Sequence, residues 1–215
     1  MKILTSSLIF ILSTYFVNAQ KEDYIWYFGN QAGIDFNGSI PVTLTNSIMN
    51  AGEGCSSISD NAGNILFYTD GITVYDRSHS IMSNGTGLTG NSSSSQSAII
   101  VKKPGSSNIY YIFSLDMVYA YSEVDMSLNG GFGAITSNKN IVLNSTAQSE
   151  KQAATFHSNG TDVWVVMFDT NTFYAYLVTN TGVNPTPVMT SIGIAHQYDL
   201  GQMCFSKSGT KIALG

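Results

Sequence analysis

One segment of the chain recurs, and this repetition constrains the fold more than any other feature. Its first copy is SDNAGNILFYTDGITVYDR (59–77), in which a turn cluster precedes an apolar run, Ile65–Thr69, and Asp70-Gly71 separates it from a second run, Ile72–Tyr75. Asp-Gly between two such runs is among the strongest signals for a tight β-hairpin. We therefore interpret Asp70 as a turn residue rather than a catalytic one, and Gly71 as the residue that supplies left-handed backbone angles.

Three later segments have the same form. Their turn glycines are Gly105, Gly160 and Gly209, and with Gly63 they are spaced by roughly 40 to 55 residues. A candidate strand precedes each glycine, and each complete unit has a weaker fourth strand after its hairpin. The predicted first strands are 56–59, 98–101, 153–157 and 202–205, and the predicted fourth strands are 79–82, 139–143 and 187–194. Four strands in about 45 residues is the period of a β-propeller blade.

The composition of two predicted strands supports the same fold. Ile109–Phe113 and Val163–Phe168 are apolar on both faces, which is typical of strands in sheets that are covered on both sides. Stacked blades provide that cover, whereas the alternative, a two-layer β-sandwich, predicts cleaner alternation of apolar and polar residues. We therefore expect an all-β chain, a β-propeller with four-stranded blades, of which about three and a half are covered.

The repeat also predicts the boundaries of the units. After residues 1–19, the blade-like units are 20–50, 51–96, 97–147, 148–200 and 201–215, the last being the start of a further unit. A propeller needs roughly four to eight blades to close, so we expect 20–215 to be the N-terminal part of a propeller domain in a longer protein. The first unit resembles the outer part of a blade, whose inner strands would come from the far C terminus.

The first nineteen residues predict a secretory signal peptide. Lys2 is followed by the apolar run Leu8–Leu12, and Val17-Asn18-Ala19 is a small-residue cleavage site. The alternative, a membrane anchor, is disfavoured because Ser13-Thr14 interrupts the apolar run and no basic stop-transfer cluster follows. We expect a secreted or cell-surface protein without a membrane span after cleavage.

Charge excludes some partner classes. The net charge is −5, the sequence pI is about 4.9 and only 11% of residues are charged. These values argue against nucleic acid or an anionic membrane as partner. The adjacent basic pair Lys102-Lys103 is too small to form a basic patch.

Other motifs have simpler structural explanations. Residues 85–90 (GTGLTG) match the dinucleotide-binding pattern, but a serine-rich segment instead of a helix follows, so we expect a flexible inter-blade loop. His79, His157 and His196 share no metal-ligand spacing, and the DTN segment at 169–171 lacks an EF-hand's spacing and closing glutamate. We predict no catalytic, cofactor-binding or metal-binding residue. The predicted site residues are structural turns, namely Gly63, Asp70, Gly71, Gly105, Gly160 and Gly209.

The two cysteines, Cys55 and Cys204, raise the possibility of a disulfide in an oxidising compartment. Both lie at the first strands of different units, on opposite sides of the expected central channel. A disulfide needs Cα atoms within about 7 Å. We therefore expect two buried free thiols.

Several segments resemble a known protein family. YIWYFGNQAGIDFNG (24–38), GCSSISDNAGNILFYTDGITVYD (54–76) and NGTDVWVV (159–166) are similar to the N-terminal propeller-like region of large secreted, gliding-associated proteins of Bacteroidetes. The resemblance covers essentially the whole mature chain. It implies attachment to the cell surface or release, and export by the type IX secretion machinery if a C-terminal (type B) sorting domain follows. The family offers no catalytic residues to carry over.

Two functions remain open. The first is a binding or scaffold module for adhesion or for recognition of an extracellular glycan or protein, with no cofactor. The alternative is a polysaccharide-acting hydrolase or lyase on a propeller scaffold, which requires convergent carboxylates or a His-Tyr pair at the central channel. A third possibility is a rigid spacer for downstream domains.

Overall fold

The computed structural model describes residues 21–195 and 200–215; the predicted signal peptide (1–19) and His196 lie outside these residues. The described residues form nineteen β-strands and one short 3-10 helix, which confirms the all-β class. None of their helices has the length and apolar character needed to cross a membrane.

The first two predicted units each contain antiparallel strands that pair in sequence order. The first sheet has three strands: β1 (Ile25–Phe28), β2 (Ala32–Asp35) and β3 (Val42–Leu44). The second unit has four consecutive strands, β4 (Ser56–Ser59), β5 (Ile65–Thr69), β6 (Thr73–Asp76) and β7 (Ile81–Thr86), which belong to a nine-stranded sheet that continues into the third unit. The last strand of the second unit was predicted at 79–82, so it begins later and is longer than expected.

The third and fourth units share one strand arrangement. The third contains β8 (Ala98–Lys102), β9 (Ile109–Asp116), β10 (Val118–Asp125), a 3-10 helix (Asn129–Gly131), β11 (Ala134–Ile135) and β12 (Ile141–Asn144). The fourth contains β13 (Lys151–Phe156), β14 (Val163–Asp169), β15 (Thr172–Thr179), β16 (Gly182–Val183) and β17 (Val188–Ser191). In both units a two-residue strand and a four-residue strand pair with the same edge of the preceding long strand.

The remaining strands and pairings complete the architecture. β18 (Met203–Phe205) and β19 (Ile212–Leu214) form a two-stranded antiparallel hairpin. The second and third units are joined edge to edge by one parallel pair, Ala134 opposite Ser83. Asn84 supports this junction, because its side-chain amide donates hydrogen bonds to the carbonyls of Ile135 (3.1 Å) and Thr136 (3.3 Å).

Turns between the strands are closed by short polar side chains. The Asp60 carboxylate accepts hydrogen bonds from the backbone N–H groups of Ala62 and Asn64, both at 2.9 Å. Burial alone would raise the pKa of Asp60, but these hydrogen bonds hold that pKa below its ordinary value. Asp125 and Asn159 each accept a bond from the N–H two residues later in the same way. This turn chemistry is consistent with a chain rich in Asn, Ser and Thr.

Neighbouring sheets pack face to face, with an apolar core in each interface. Along β9 the side chains alternate between two such cores. Tyr110 and Ile112 pack against the second unit, whereas Tyr111 and Phe113 pack against the fourth. Ile112 and Phe113 are both fully buried. The prediction that this strand is buried on both faces is confirmed.

The GTGLTG segment (85–90) ends β7 and enters the loop that connects the second and third units, and this part of the loop is closely packed. Gly85 and Thr86 belong to β7, and Leu88 is buried in the core between the second and third units. Gly90 donates a backbone hydrogen bond to the Gly71 carbonyl at 2.9 Å, and a Cβ at Gly90 would overlap the Gly71 backbone. Glycine at this position allows two loops to pack closely.

Candidate functional site

The candidate site lies beside the first strands of the second, third, fourth and fifth units. These strands, β4, β8, β13 and β18, are called the inner strands here. Successive inner strands contact one another, β4 with β8, β8 with β13 and β13 with β18. Within the described residues each inner strand pairs with a single partner, the strand that follows it. Within the same residues, the other edge of each inner strand is therefore unpaired, on the side where successive inner strands contact one another.

A cleft of about 410 Å³ opens where β8, β13 and β18 come together, and it is called the inner-strand cleft here. Its walls are largely apolar, and its rim has two lysines, Lys102 at the end of β8 and Lys207 just after β18. Phe156, the last residue of β13, projects at the rim with 70% of its surface exposed. The lining consists of Ile100, Val101, Lys102, Ala154, Thr155, Phe156, Val163, Phe205, Ser206 and Lys207.

A second cleft of about 630 Å³ adjoins the first and shares Lys102, Phe156 and Val163 with it. The second cleft is also lined by Lys103 and by two acidic residues, Glu22 and Asp23. Within the described residues, the lining of the inner-strand cleft contains neither Asp nor Glu, so the acidic side chains line only the second cleft.

Across residues 21–195 and 200–215, neither the Lys102 nor the Lys207 ammonium group forms an ion pair. Lys102 Nζ lies 5.9 Å from the ring centroid of Tyr110, a cation–π contact on the face of β8 and β9 that packs against the second unit. Burial, with Glu22 and Asp60, raises the pKa of Tyr110 to about 12, so its hydroxyl remains protonated at neutral pH.

The predicted turn residues lie at turns between strands; Gly105 also lines the second cleft, and Gly209 lies beside Thr155 of the inner-strand cleft. Asp70 is mostly buried, and its carboxylate accepts hydrogen bonds from the N–H groups of Ile72 (2.9 Å) and Thr73 (2.7 Å). Gly71 has φ +88°, and a Cβ there would overlap the hydroxyl of Ser97, which donates to the Asp70 carbonyl at 2.8 Å. The other four turn glycines also have positive φ: Gly63 +90°, Gly105 +72°, Gly160 +74° and Gly209 +68°.

A histidine–tyrosine pair is present that we did not predict. His79 Nδ1 lies 3.1 Å from the Tyr68 hydroxyl, and His79 Nε2 lies 2.7 Å from the Asn46 side-chain nitrogen. Burial lowers the pKa of His79, while Asp76 partly opposes this effect. Tyr68 is fully buried. The sequence signal for this pair was weak, because it depends on the left-handed conformation of His79 (φ +62°) in the turn between β6 and β7.

The remaining candidates do not converge. His157 lies in the turn between β13 and β14, where its Nδ1 accepts a hydrogen bond from the Asn159 N–H at 3.1 Å. The Asp169 segment closes the tight turn between β14 and β15. Among the described residues, no group of three His, Cys, Asp or Glu side chains is placed to hold a metal ion.

Both cysteines are free thiols, but they are less buried than we expected. Cys55 is half-buried just before β4, and its thiol donates to the Tyr27 carbonyl at 3.5 Å. Burial raises the pKa of the Cys55 thiol, which lowers its reactivity. Cys204 lies in β18 and is exposed, contrary to the expected buried state. A hairpin with one uncovered face explains this exposure.

Comparison of the chain with protein-family models, with curated proteins and with solved structures finds no match. The function therefore has to be inferred from the sheets, the turns and the inner-strand cleft.

Proposed function

We propose that the chain is part of a secreted or cell-surface β-propeller that binds an extracellular glycan or protein without chemical turnover. In this proposal each repeat unit is a blade and the inner strands surround a central channel. The proposal is supported by the sequential antiparallel sheets, by the shared strand arrangement of the third and fourth units, and by the apolar cores between neighbouring sheets.

The observation that favours binding most is the composition of the inner-strand cleft. It combines apolar walls, an exposed aromatic ring at Phe156 and Lys207, which forms no ion pair within the described residues. Ligand sites in proteins are typically concave and mostly apolar, with a few charged groups that fix orientation. Within the described residues, the lining of this cleft contains no Asp or Glu side chain that could act as a general acid, general base or nucleophile.

The cellular context belongs to the same proposal. The predicted signal peptide favours a location outside the cytoplasm, and the resemblance to gliding-associated proteins of Bacteroidetes favours a role in adhesion at the cell surface. Export by type IX secretion machinery would require a sorting domain further along the protein. The low content of charged residues, 11%, is compatible with a polar but weakly charged outer surface.

The alternative, a polysaccharide hydrolase or lyase, has one observation in its favour. His79 and Tyr68 form a close pair of the kind that can transfer protons. However, Tyr68 is fully buried, and the pair lies at the β6–β7 turn instead of among the inner strands. A catalytic role would therefore require Tyr68 to become exposed.

An experiment with the secreted protein separates the two functions. Glycan and peptide arrays would measure binding, and the same ligands would be incubated with the protein and analysed for cleavage products. We expect retained ligand and no product. A product whose formation is abolished by His79→Ala, in a variant that retains its fold, would overturn the proposal in favour of the enzyme.

A further inference from the structure

We propose that His79 is a pH-sensitive latch between the first and second units, which holds the first sheet in place when its imidazole is neutral and loosens it when the imidazole is protonated. The latch does not depend on the proposed binding function, because it acts on a junction inside the chain. It consists of the histidine–tyrosine pair described above together with the contacts of that pair in the first unit.

The His79 side chain lies where the two units meet. Its Nδ1 faces the hydroxyl of Tyr68 in β5 of the second unit (3.1 Å), and its Nε2 faces the side-chain nitrogen of Asn46 in the first unit (2.7 Å). Its ring also packs edge-on against the ring of Tyr27 in β1, with 5.3 Å between the centroids. Tyr27 and Tyr68 both belong to the core between the two units, so this one side chain contacts both sides of that core.

The surrounding hydrogen bonds fix the tautomer of neutral His79. The Asn46 carbonyl oxygen accepts a hydrogen bond from the Tyr27 hydroxyl at 2.9 Å, which leaves the Asn46 NH₂ group facing Nε2. An NH₂ group can only donate, so Nε2 must accept. The single proton of the neutral ring therefore lies on Nδ1, where it can be donated to the Tyr68 hydroxyl. Neutral His79 thus bonds to both units.

Protonation of His79 disrupts the contact at Nε2. The added proton faces the Asn46 NH₂ group, so two donors lie 2.7 Å apart with no acceptor between them. Turning the Asn46 amide over would give Nε2 an acceptor, but it would remove the acceptor of the Tyr27 hydroxyl. In either case one hydrogen bond at the junction is lost, which weakens the attachment of the first sheet.

The environment of His79 favours the neutral ring. Burial lowers its pKa, and Asp76 at the end of β6 partly opposes this effect. Residues 42–50 of the first unit contain no ionisable side chain. The other ionisable groups of the surrounding core are tyrosines, whose pKa is raised by burial so that they remain neutral: Tyr27, Tyr68 and Tyr75.

The sign of the pH dependence follows from this lowered pKa. A histidine whose pKa falls on folding contributes stability above its ordinary pKa of about 6.5, and the contribution is lost as the pH falls through the folded pKa. The junction between the first and second units is therefore expected to be tight at neutral pH and looser in acid.

The test is amide hydrogen exchange of the mature protein at about pH 7.5 and at about pH 5. At each pH the exchange of β1 and β2 is divided by that of β14 in the fourth unit, so that the intrinsic pH dependence of exchange cancels. We expect acidification to raise this ratio by about fivefold. An unchanged ratio would overturn the latch.

Two variants test the role of the imidazole itself. His79→Asn removes the titratable ring and keeps a residue type that tolerates the left-handed backbone (φ +62°). Its ratio should not respond to acidification. Asn46→Asp places a carboxylate opposite Nε2, so the protonated ring gains an acceptor, and the ratio should not rise in acid.

His157→Asn is the matched control. His157 lies in the turn between β13 and β14, far along the chain from the first unit, and its Nδ1 accepts a hydrogen bond from a backbone N–H in that turn. This variant should respond to acid as the unaltered protein does. An unaltered response in His79→Asn or in Asn46→Asp, or a lost response in His157→Asn, would contradict the latch.

Discussion

At the scale of single residues, Gly71 shows why a turn glycine cannot be replaced. It has φ +88°, and a Cβ would overlap the Ser97 hydroxyl. We predict that Gly71→Ala destabilises the protein by more than about 2 kcal/mol, because backbone strain and a steric clash act together. Gly87→Ala is the matched control, since Gly87 has φ +72° with open space around the added Cβ. It should cost only about 1 kcal/mol in urea denaturation, and equal losses in the two variants would contradict the close packing at Gly71.

A second residue-scale prediction concerns two buried tyrosines. Tyr119 is completely buried, its burial raises its pKa well above the ordinary value, and its hydroxyl has no hydrogen-bond partner within the described residues. The hydroxyl of Tyr176 instead donates to the Leu143 carbonyl at 3.3 Å. We predict that Tyr119→Phe stabilises the protein by about 1 kcal/mol and that Tyr176→Phe destabilises it by about 1 kcal/mol. Denaturation curves of the two variants measure both effects, and a loss in Tyr119→Phe would indicate that its hydroxyl is bonded.

Sequence reasoning works best at residues whose role is local. The Asp70-Gly71 pair was interpreted correctly as hairpin residues at β5–β6, because the chemistry of a tight turn involves only neighbouring residues. The clash of a Cβ at Gly71 with Ser97 could not be predicted, since Ser97 comes from the next unit. The exposure of Cys204 depends in the same way on what covers β18.

At the scale of elements, long strands were predictable and short edge strands were not. The apolar runs at β5, β9 and β14 have strong period and composition signals. β11 and β16 have only two residues each, which is too short for any periodic pattern. β11 pairs with the end of β10 and with β7 of the preceding unit, so its position depends on tertiary structure. β16 forms a local two-residue hairpin with the end of β15, and only its shortness hides it from a periodic pattern.

The junction between the second and third sheets gives an element-scale prediction. The Lys139 ammonium group donates hydrogen bonds to the carbonyls of Asn84 (3.1 Å) and Thr86 (2.6 Å) at the edge of β7. We predict that Lys139→Met loosens this edge by about 1 kcal/mol and makes amide hydrogen exchange in β7 and β11 about fivefold faster.

Exchange in β14, which lies in another sheet, should not change. Lys103→Met is the matched control, because Lys103 takes part in the β8–β9 turn through its backbone N–H, which donates to Ile109. If both variants accelerated exchange in β7 equally, Lys139 would have no specific role at the junction.

At the scale of the whole molecule, the sequence predicted the stacking of sheets but not the cleft. Stacking was predictable because a strand that is apolar on both faces needs cover on both sides. The cleft was not, because Lys102, Phe156 and Lys207 come from three units and meet only when the inner strands pack together. The pair Lys102-Lys103 alone was too small to indicate a site. In the repeat, Lys102 and Phe156 are the last residues of the first strands of their units, and Lys207 lies in the turn that follows the corresponding strand. This shared position is the signal that could have drawn attention to them.

The central claim is that successive sheets stack face to face, so that neighbouring residues of one strand are buried in two different cores. The most direct test is the free energy of unfolding of Ile112→Ala and Phe113→Ala, with Val142→Ala at an exposed position (54%) as control. The stacked arrangement predicts that each β9 variant loses about 2–5 kcal/mol, and that the control changes by less than about 0.5 kcal/mol. If either Ile112→Ala or Phe113→Ala were as stable as the control, one face of the strand would be open to solvent and the stacked fold would be contradicted.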